Sequence, residues 1–279
     1  MTKTNPAEVS ESIVNWLADY ATRFNLNSFV VGVSGGVDSG AVCRLSQKAA
    51  TRPSCTAKRV IAVAMPMAEA HDSASGSLYR AMELCVGQPN VEFHIRPIGR
   101  ILAAYIGEGV GNDPDNLLLQ GNLRSRIRAN ILADFAGANK GIVVGTGNED
   151  EDEIGYFTKW GDGAVDVCPM SKIHKSMVRQ IARLLDVPQS IIDVAPTAGL
   201  WNGQTDEGEL GMTYDEVEWA IEHDKLPLSE RPACCQEPAL KDVRSDLTDR
   251  QKIVLSKVRH MRRINAHKLA YPPVCDPLG

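Results

Sequence analysis

The sequence predicts an α/β protein built on a doubly wound parallel sheet, with helices on both faces. Three observations carry that prediction. Short apolar runs at residues 29–33, 59–65 and 141–144 read as strands buried on both faces, because they do not alternate with polar residues. Segments of helical period separate them, and strand-helix alternation of this kind implies parallel pairing. The first run ends in Ser34-Gly35-Gly36-Val37-Asp38-Ser39. Ligands of such sheets bind beyond the carboxyl ends of the strands, where this glycine loop falls.

The elements follow in order. Asn5-Pro6-Ala7-Glu8 reads as an N-cap, a proline at the first helical position and a glutamate reaching back, and Val9, Ile13, Trp16, Leu17 and Tyr20 then share one helical face. After the loop a helix is expected to about Gln47, then a strand at residues 59–65 stopped by Pro66. A helix over about 75–85 and a strand over 91–98 complete the first half. From Asn116 to Phe135 a helix places Leu119, Leu123, Ile127, Ile131 and Leu132 on one side, while Arg124, Arg126 and Arg128 cannot all share that face. A solvated basic face is the plain reading of those charges. Residues 141–148 form another buried strand ending in a glycine turn, followed by the acidic run Glu149-Asp150-Glu151-Asp152-Glu153. Such a run is usually solvated, but at the end of a neighbouring strand one carboxylate could meet the same cation as Asp38. Residues 200–212 have the composition of a loop able to close as a lid, or of a plain surface connection. The capping box Thr213-x-x-Glu216 starts the next helix, and a second, Thr248 with Gln251, starts the last.

With 279 residues, 43% apolar, the chain has length for a real core, and a single domain over 1–279 is expected. A net charge of −5 argues against nucleic acid as the main partner. No run has the length a membrane span needs and Met1-Thr2-Lys3-Thr4 lacks a signal-peptide core, so no membrane association and a cytoplasmic location are expected. Seven cysteines without Cys-x-x-Cys, Cys234-Cys235 included, speak against a disulfide framework or a zinc site.

The glycine loop is a phosphate cradle. Paired glycines let an anion approach the backbone, and the first turn of the helix offers unpaired N–H groups and the positive end of its dipole. No Gly-Lys-Ser/Thr follows Gly32, which excludes a Walker loop. Asp38 stands where that lysine would be sought, and an acid beside a polyphosphate implies a divalent cation between them. A glycine turn with a simple Asp or Ser cap is the alternative.

Ser-Gly-Gly-x-Asp-Ser resembles the pyrophosphate loop of the N-type ATP pyrophosphatases, whose fold is adenine nucleotide alpha hydrolase-like. The resemblance narrows with Gln120-Gly121-Asn122-Leu123-Arg124-Ser125-Arg126, Val143-Val144-Gly145-Thr146-Gly147-Asn148, Gly155-Tyr156-Phe157-Thr158-Lys159-Trp160-Gly161-Asp162-Gly163 and residues 200–214, which in this order are similar to the NAD synthetase family. The resemblance implies that Mg-ATP adenylates the nicotinate carboxylate of deamido-NAD, that pyrophosphate leaves, and that ammonia displaces AMP to give NAD. The chain has no room for the amidase domain of the glutamine-using members, so it resembles the ammonia-dependent form. Carried over by position, Gly32, Val33, Ser34, Gly35, Gly36, Val37, Asp38 and Ser39 hold ATP, as do Thr146, Lys175 and Thr197. Magnesium falls on Asp38 and, counting from Thr146, on Glu151, with Glu149 or Glu153 as alternatives because Gly147-Asn148 departs from the Asp-His common in bacterial members. Arg126, Lys159, Asp166, His267 and Lys268 match deamido-NAD positions. Asp38, Glu151 and Lys175 form the expected catalytic group, and a homodimer is implied. Two rivals remain at this point: a pyrophosphatase that adenylates another substrate, such as a tRNA base, and a nucleotide-binding module without chemistry.

Overall fold

The computed structural model describes residues 5–67, 76–108, 113, 116–197, 204–225, 247–270 and 272–275. Its strands are β1 (Ser28–Gly32), β2 (Arg59–Ala64), β3 (Val91–Ile95) and β4 (Gly141–Val143). They pair in the order β3-β2-β1-β4, all parallel, so the strand carrying the glycine loop is central. The helices are α1 (Pro6–Arg23), α2 (Val37–Ala50), α3 (Ser77–Cys85), α4 (Gly99–Gly107), α5 (Leu117–Ala138), α6 (Glu149–Ile154), α7 (Lys175–Leu184), α8 (Gln189–Ile192), α9 (Asp206–Leu210), α10 (Tyr214–Lys225) and α11 (Asp249–Leu269).

The two-residue strand period decides which layer each side chain enters. Phe29 and Val31 of β1, with Val60, Ala62 and Ala64 of β2, join the larger core under α1, α2 and α7. Val30, Ile61, Val63 and Val143 point the other way, onto Ile131, Leu132 and Phe135 of α5. Both faces of the central strands are therefore dry, which is why their sequence shows no polar alternation. Each buried valine, isoleucine, leucine or phenylalanine among them contributes about 1.5–3 kcal/mol from removal of its surface from water. A separate cluster gathers Ile154, Leu210, Met212, Val217, Ile221, Val254, Leu255 and Val258 from α6, α9, α10, α11 and the α9–α10 connection.

Several boundaries differ from the sequence expectation for local reasons. Trp16 is exposed, stacked 5.8 Å from Tyr20, which lies 4.7 Å from Phe24. The core stripe of α1 instead includes Val14, Ala18 and Ala21, small side chains that let it sit close to α2. α2 runs to Ala50. β3 ends at Ile95 rather than Ile98, because Pro97 has no N–H to continue the ladder and Ile98 donates to Pro66 O at 2.9 Å. Leu119 is exposed together with Leu117 and Leu118, although Ile127 of the same helix is buried. Within the expected lid, 200–203 lie outside the described residues, and 204–212 contain α9 rather than an open loop. Thr205 caps α9 by accepting from Gly208 N at 3.2 Å, and Leu210 and Met212 are buried in the cluster beneath it. Cys234 and Cys235 lie outside the described residues. Among the described residues, Cys43, Cys55, Cys85, Cys168 and Cys275 are free thiols, and no helix is long and apolar enough to cross a membrane.

Candidate active site

β1 delivers the chain at Gly32 into a loop that ends in the N-cap of α2, Gly36, which has an extended backbone and no side chain to cap the helix. The first-turn N–H groups of α2 therefore have no side-chain cap from Gly36, at the positive end of a helix dipole of about half a unit charge. Gly35 has φ +76°, and a Cβ there would stand 2.4 Å from the Ser77 carbonyl oxygen, so only glycine fits. Two hydroxyls hold the turn from inside. Ser39 Oγ donates to Gly36 O at 3.0 Å and accepts from Ser34 N at 3.2 Å, while Gly36 N donates to Ser34 Oγ at 3.3 Å. From α3, Arg80 Nε donates to Gly35 O at 3.0 Å, which brings a guanidinium to the loop.

Asp38, in the first turn of α2, meets two elements that follow β4 in the chain. Lys175 Nζ, at the start of α7, donates to Asp38 Oδ2 at 2.5 Å and to Glu151 Oε1 at 3.1 Å. Asn148 Nδ2 donates to Asp38 Oδ1 at 3.1 Å. Asn148 and Glu151 form a capping box on α6, in which Asn148 Oδ1 accepts from Glu151 N and Glu151 Oε2 accepts from Asn148 N. One oxygen of Glu151 thus caps its helix and fixes the rotamer, and the other faces Lys175. The Tyr214 hydroxyl lies 3.0 Å from both Glu151 Oε1 and Asp206 Oδ2, and its ring sits 4.5 Å from Lys175 Nζ.

Burial and charge set the protonation states. Burial works against the ammonium of Lys175, but Asp38 and Glu151 outweigh it and hold Lys175 above its ordinary value. For Glu151 burial wins, pushing the carboxyl up to about 7 against the pull of Lys175, with Asp38 and Asp206 adding to the rise. The Lys175 side chain is only 3% exposed, whereas those of Asp38 and Glu151 keep 18% and 17%, so the acids present the open edge of the group.

The alternatives for the second carboxylate point elsewhere. Glu149 Oε1 pairs with Lys225 at 2.5 Å and Glu153 with Arg262 at 2.7 Å. Thr146 is half-buried just beyond β4, and Thr197 is exposed beyond α8. Lys159, His267 and Lys268 come together, since Lys159 Nζ donates to His267 O at 2.5 Å and Lys268 Nζ to Gly155 O and Phe157 O at 2.7 and 2.9 Å. Asp166 accepts from Val143 N at 2.7 Å and lines a cavity of about 450 Å³ with Trp160, Gly163, Val165 and Ala136. Arg126 is exposed on α5 and enters neither group of contacts.

Four participants were not singled out from the sequence: Arg80, Asn148 as a partner of Asp38, Tyr214 and Asp206. For Asn148 a signal existed, because Asn148-x-x-Glu151 is a helix-capping pattern. The others meet the group only through tertiary contacts.

A parallel sheet whose central strand ends in a glycine loop, with Asp38 in the first turn of the next helix, defines an adenine nucleotide alpha hydrolase-like protein, the fold of its structural neighbours. A family profile described as NAD synthase matches residues 9–272. The NH(3)-dependent NAD(+) synthetase of Methanosarcina acetivorans is 32% identical over 262 residues, covering 94% of this chain and 95% of the relative. That of Carboxydothermus hydrogenoformans is 36% identical over 219 residues, 77% of this chain and 85% of the relative. The solved NMN synthetase of Francisella tularensis superposes with a TM-score of 0.78 at 29% identity, over 98% of this chain and 100% of that one. The chain belongs to the NAD synthase family.

Proposed function

We propose that this chain is a single-domain ligase that makes NAD by joining ammonia to the nicotinate carboxylate of deamido-NAD, with ATP consumed to AMP and pyrophosphate. The observation that carries the reading is the meeting of Asp38, Glu151 and Lys175 at the first turn of α2, in a chain similar over nearly its full length to NH(3)-dependent NAD(+) synthetases. A carboxylate is a poor acylating agent because its leaving group would be oxide. Transfer of AMP to its oxygen creates a good leaving group, and a carboxylate oxygen attacks the α-phosphorus as pyrophosphate departs. Neutral ammonia then attacks the carboxyl carbon, and AMP leaves with the former carboxylate oxygen.

The residues present suit these steps. The loop from Gly32 to Ser39 binds the phosphates through its N–H groups, with Thr146 and Thr197 on the same nucleotide. Lys175, kept charged by its neighbours, offsets negative charge developing on pyrophosphate. Magnesium fits the same group, since two carboxylates share one ammonium at an open edge, and a divalent cation there would favour the ionised form of Glu151 that burial disfavours. Asp38 and Glu151 would hold it, and when bound it supplies charge neutralisation for the phosphates. Lys159, His267, Lys268, Asp166 and Arg126 are proposed to bind deamido-NAD.

Ammonium is expected to support NAD formation and glutamine alone is not. Comparable NAD from purified chain with glutamine as the only nitrogen source would refute this reading. AMP release that depends on a tRNA base rather than deamido-NAD would favour the rival pyrophosphatase.

A homodimer is part of the proposal. Leu117, Leu118 and Leu119 at the start of α5, the helix that carries Arg126, are exposed, as are Ile101 and Tyr105 of α4, which packs on α5. Light scattering at micromolar concentration should give twice the 30.3 kDa chain mass. A monomeric mass with full activity would contradict it. The net charge of −5 leaves nucleic acid outside the proposal, and the cytoplasm, where ATP is made, is its proposed location.

A further inference from the structure

We propose that Asp150 and His174 form a positioning pair that seats Lys175 between Asp38 and Glu151, with Asp150 capping α7 from a different helix. α7 begins at Lys175, and its own N-cap residue, His174, makes no side-chain capping bond. Asp150 does so in its place, because its Oδ2 accepts from Lys175 N at 2.8 Å. Its Oδ1 lies 2.6 Å from His174 Nδ1, so the carboxylate grips two consecutive residues of the other element. Asp150 is fully buried, one position before Glu151.

The far side of the imidazole is held as well. His174 Nε2 lies 2.9 Å from Glu222 Oε1 and 3.5 Å from Glu149 Oε2, and Lys225 pairs with both of those acids. Ser176 Oγ donates to Glu218 at 3.0 Å, so α10 contacts the first turn of α7 at successive positions. These bonds tie α6, α7 and α10 together where Glu151, Lys175 and Tyr214 must converge. Neither Asp150 nor His174 touches the Lys175 ammonium, so both act through position alone. A carboxylate against the first N–H of α7 also sits at the favourable end of that helix dipole.

This inference rests on the reading that Lys175 serves the adenylation step, and one experiment separates the two. Wild type, Asp150→Ala, Asp150→Asn and His174→Ala are compared for pyrophosphate release, for KM of ATP and for amide hydrogen exchange in the first turn of α7, well below each unfolding midpoint. Asp150→Ala orphans the Lys175 N–H and should lower kcat about a hundredfold, the scale for a misplaced catalytic group, with KM for ATP changed less than about threefold. Its α7 amides should exchange faster. In Asp150→Asn the amide oxygen still accepts from Lys175 N and the NH₂ can donate to His174 Nδ1, so activity should return to within about fivefold of wild type. His174→Ala should fall between them. Wild-type kcat and unchanged exchange in Asp150→Ala, or an Asp150→Asn as slow as the alanine variant, would overturn the positioning role. A wild-type chain that releases no pyrophosphate would refute the adenylation reading, while faster α7 exchange in Asp150→Ala would still support the cap.

Discussion

Asp38→Asn should retain the fold and lower pyrophosphate release about a thousandfold or more, a loss on the order of several kcal/mol of transition-state stabilisation. Asp38 accepts on both oxygens, from Lys175 and from Asn148. An asparagine can accept on only one, and its NH₂ must then face another donor. Because Asn148 Oδ1 is engaged with Glu151 N, Asn148 cannot flip to relieve the clash without undoing the capping box. The variant should therefore lose about 1–3 kcal/mol of stability through an unpaired donor, too little to unfold a protein of ordinary stability. Glu151→Gln should be similarly slow. Glu149→Gln and Glu153→Gln should stay within about tenfold of wild type, since those acids pair with Lys225 and Arg262 away from the loop. Pyrophosphate release by the four variants, alongside thermal unfolding, checks the assignment. A near-normal Glu151→Gln beside an inactive Glu149→Gln or Glu153→Gln would show that the second carboxylate is misassigned.

Lys175→Met should be both inactive and unstable. The ammonium is nearly buried and is the group that keeps Asp38 and Glu151 compatible at short range. Removing one partner of a buried ion pair costs about 3–5 kcal/mol, and the partly exposed acids place this variant toward the lower figure. The cost should depend on pH in a defined direction. Lys175 is the group that pulls the Glu151 carboxyl down, so in its absence that carboxyl rises beyond about 7 in the folded state. A folded state that binds more protons than the unfolded chain gains stability as pH falls, and wild type gains in the same way below its own Glu151 value of about 7, so the deficit against wild type should shrink between about pH 9 and pH 7 and level off below that. Urea unfolding at the two pH values reads this directly. An equal deficit at both, or wild-type stability throughout, would show that Lys175 does not balance the two acids.

Much of the fold was legible in the sequence because the information is local. A strand buried on both faces is an uninterrupted apolar run, and a glycine loop with small hydroxyls has few other uses. Asp38, Glu151 and Lys175 were each reachable by position along the chain. Their mutual contacts and remaining partners were not, because these span distance in sequence: Asp38 meets Asn148 across 110 positions and Lys175 across 137. Tyr214 stood in the sequence only as the end of the stretch 200–214, and its hydroxyl gains meaning only once α10 is packed on α6. His174 gave no signal at all, since a histidine before a lysine is ordinary until Asp150 is folded against it. The stripe of α1 was misread at Trp16 because periodicity finds a face but does not fix its rotation, and small alanines allow closer packing than a tryptophan.

The central claim is that AMP activates the carboxylate oxygen, and the fate of that oxygen tests it most directly. Deamido-NAD labelled with ¹⁸O in the nicotinate carboxylate, incubated with ATP, magnesium, ammonium and the purified chain, should yield NAD with one labelled oxygen of each carboxylate recovered in AMP and none in pyrophosphate. Label appearing in inorganic phosphate with ADP as co-product, or AMP formed without label, would contradict adenylation.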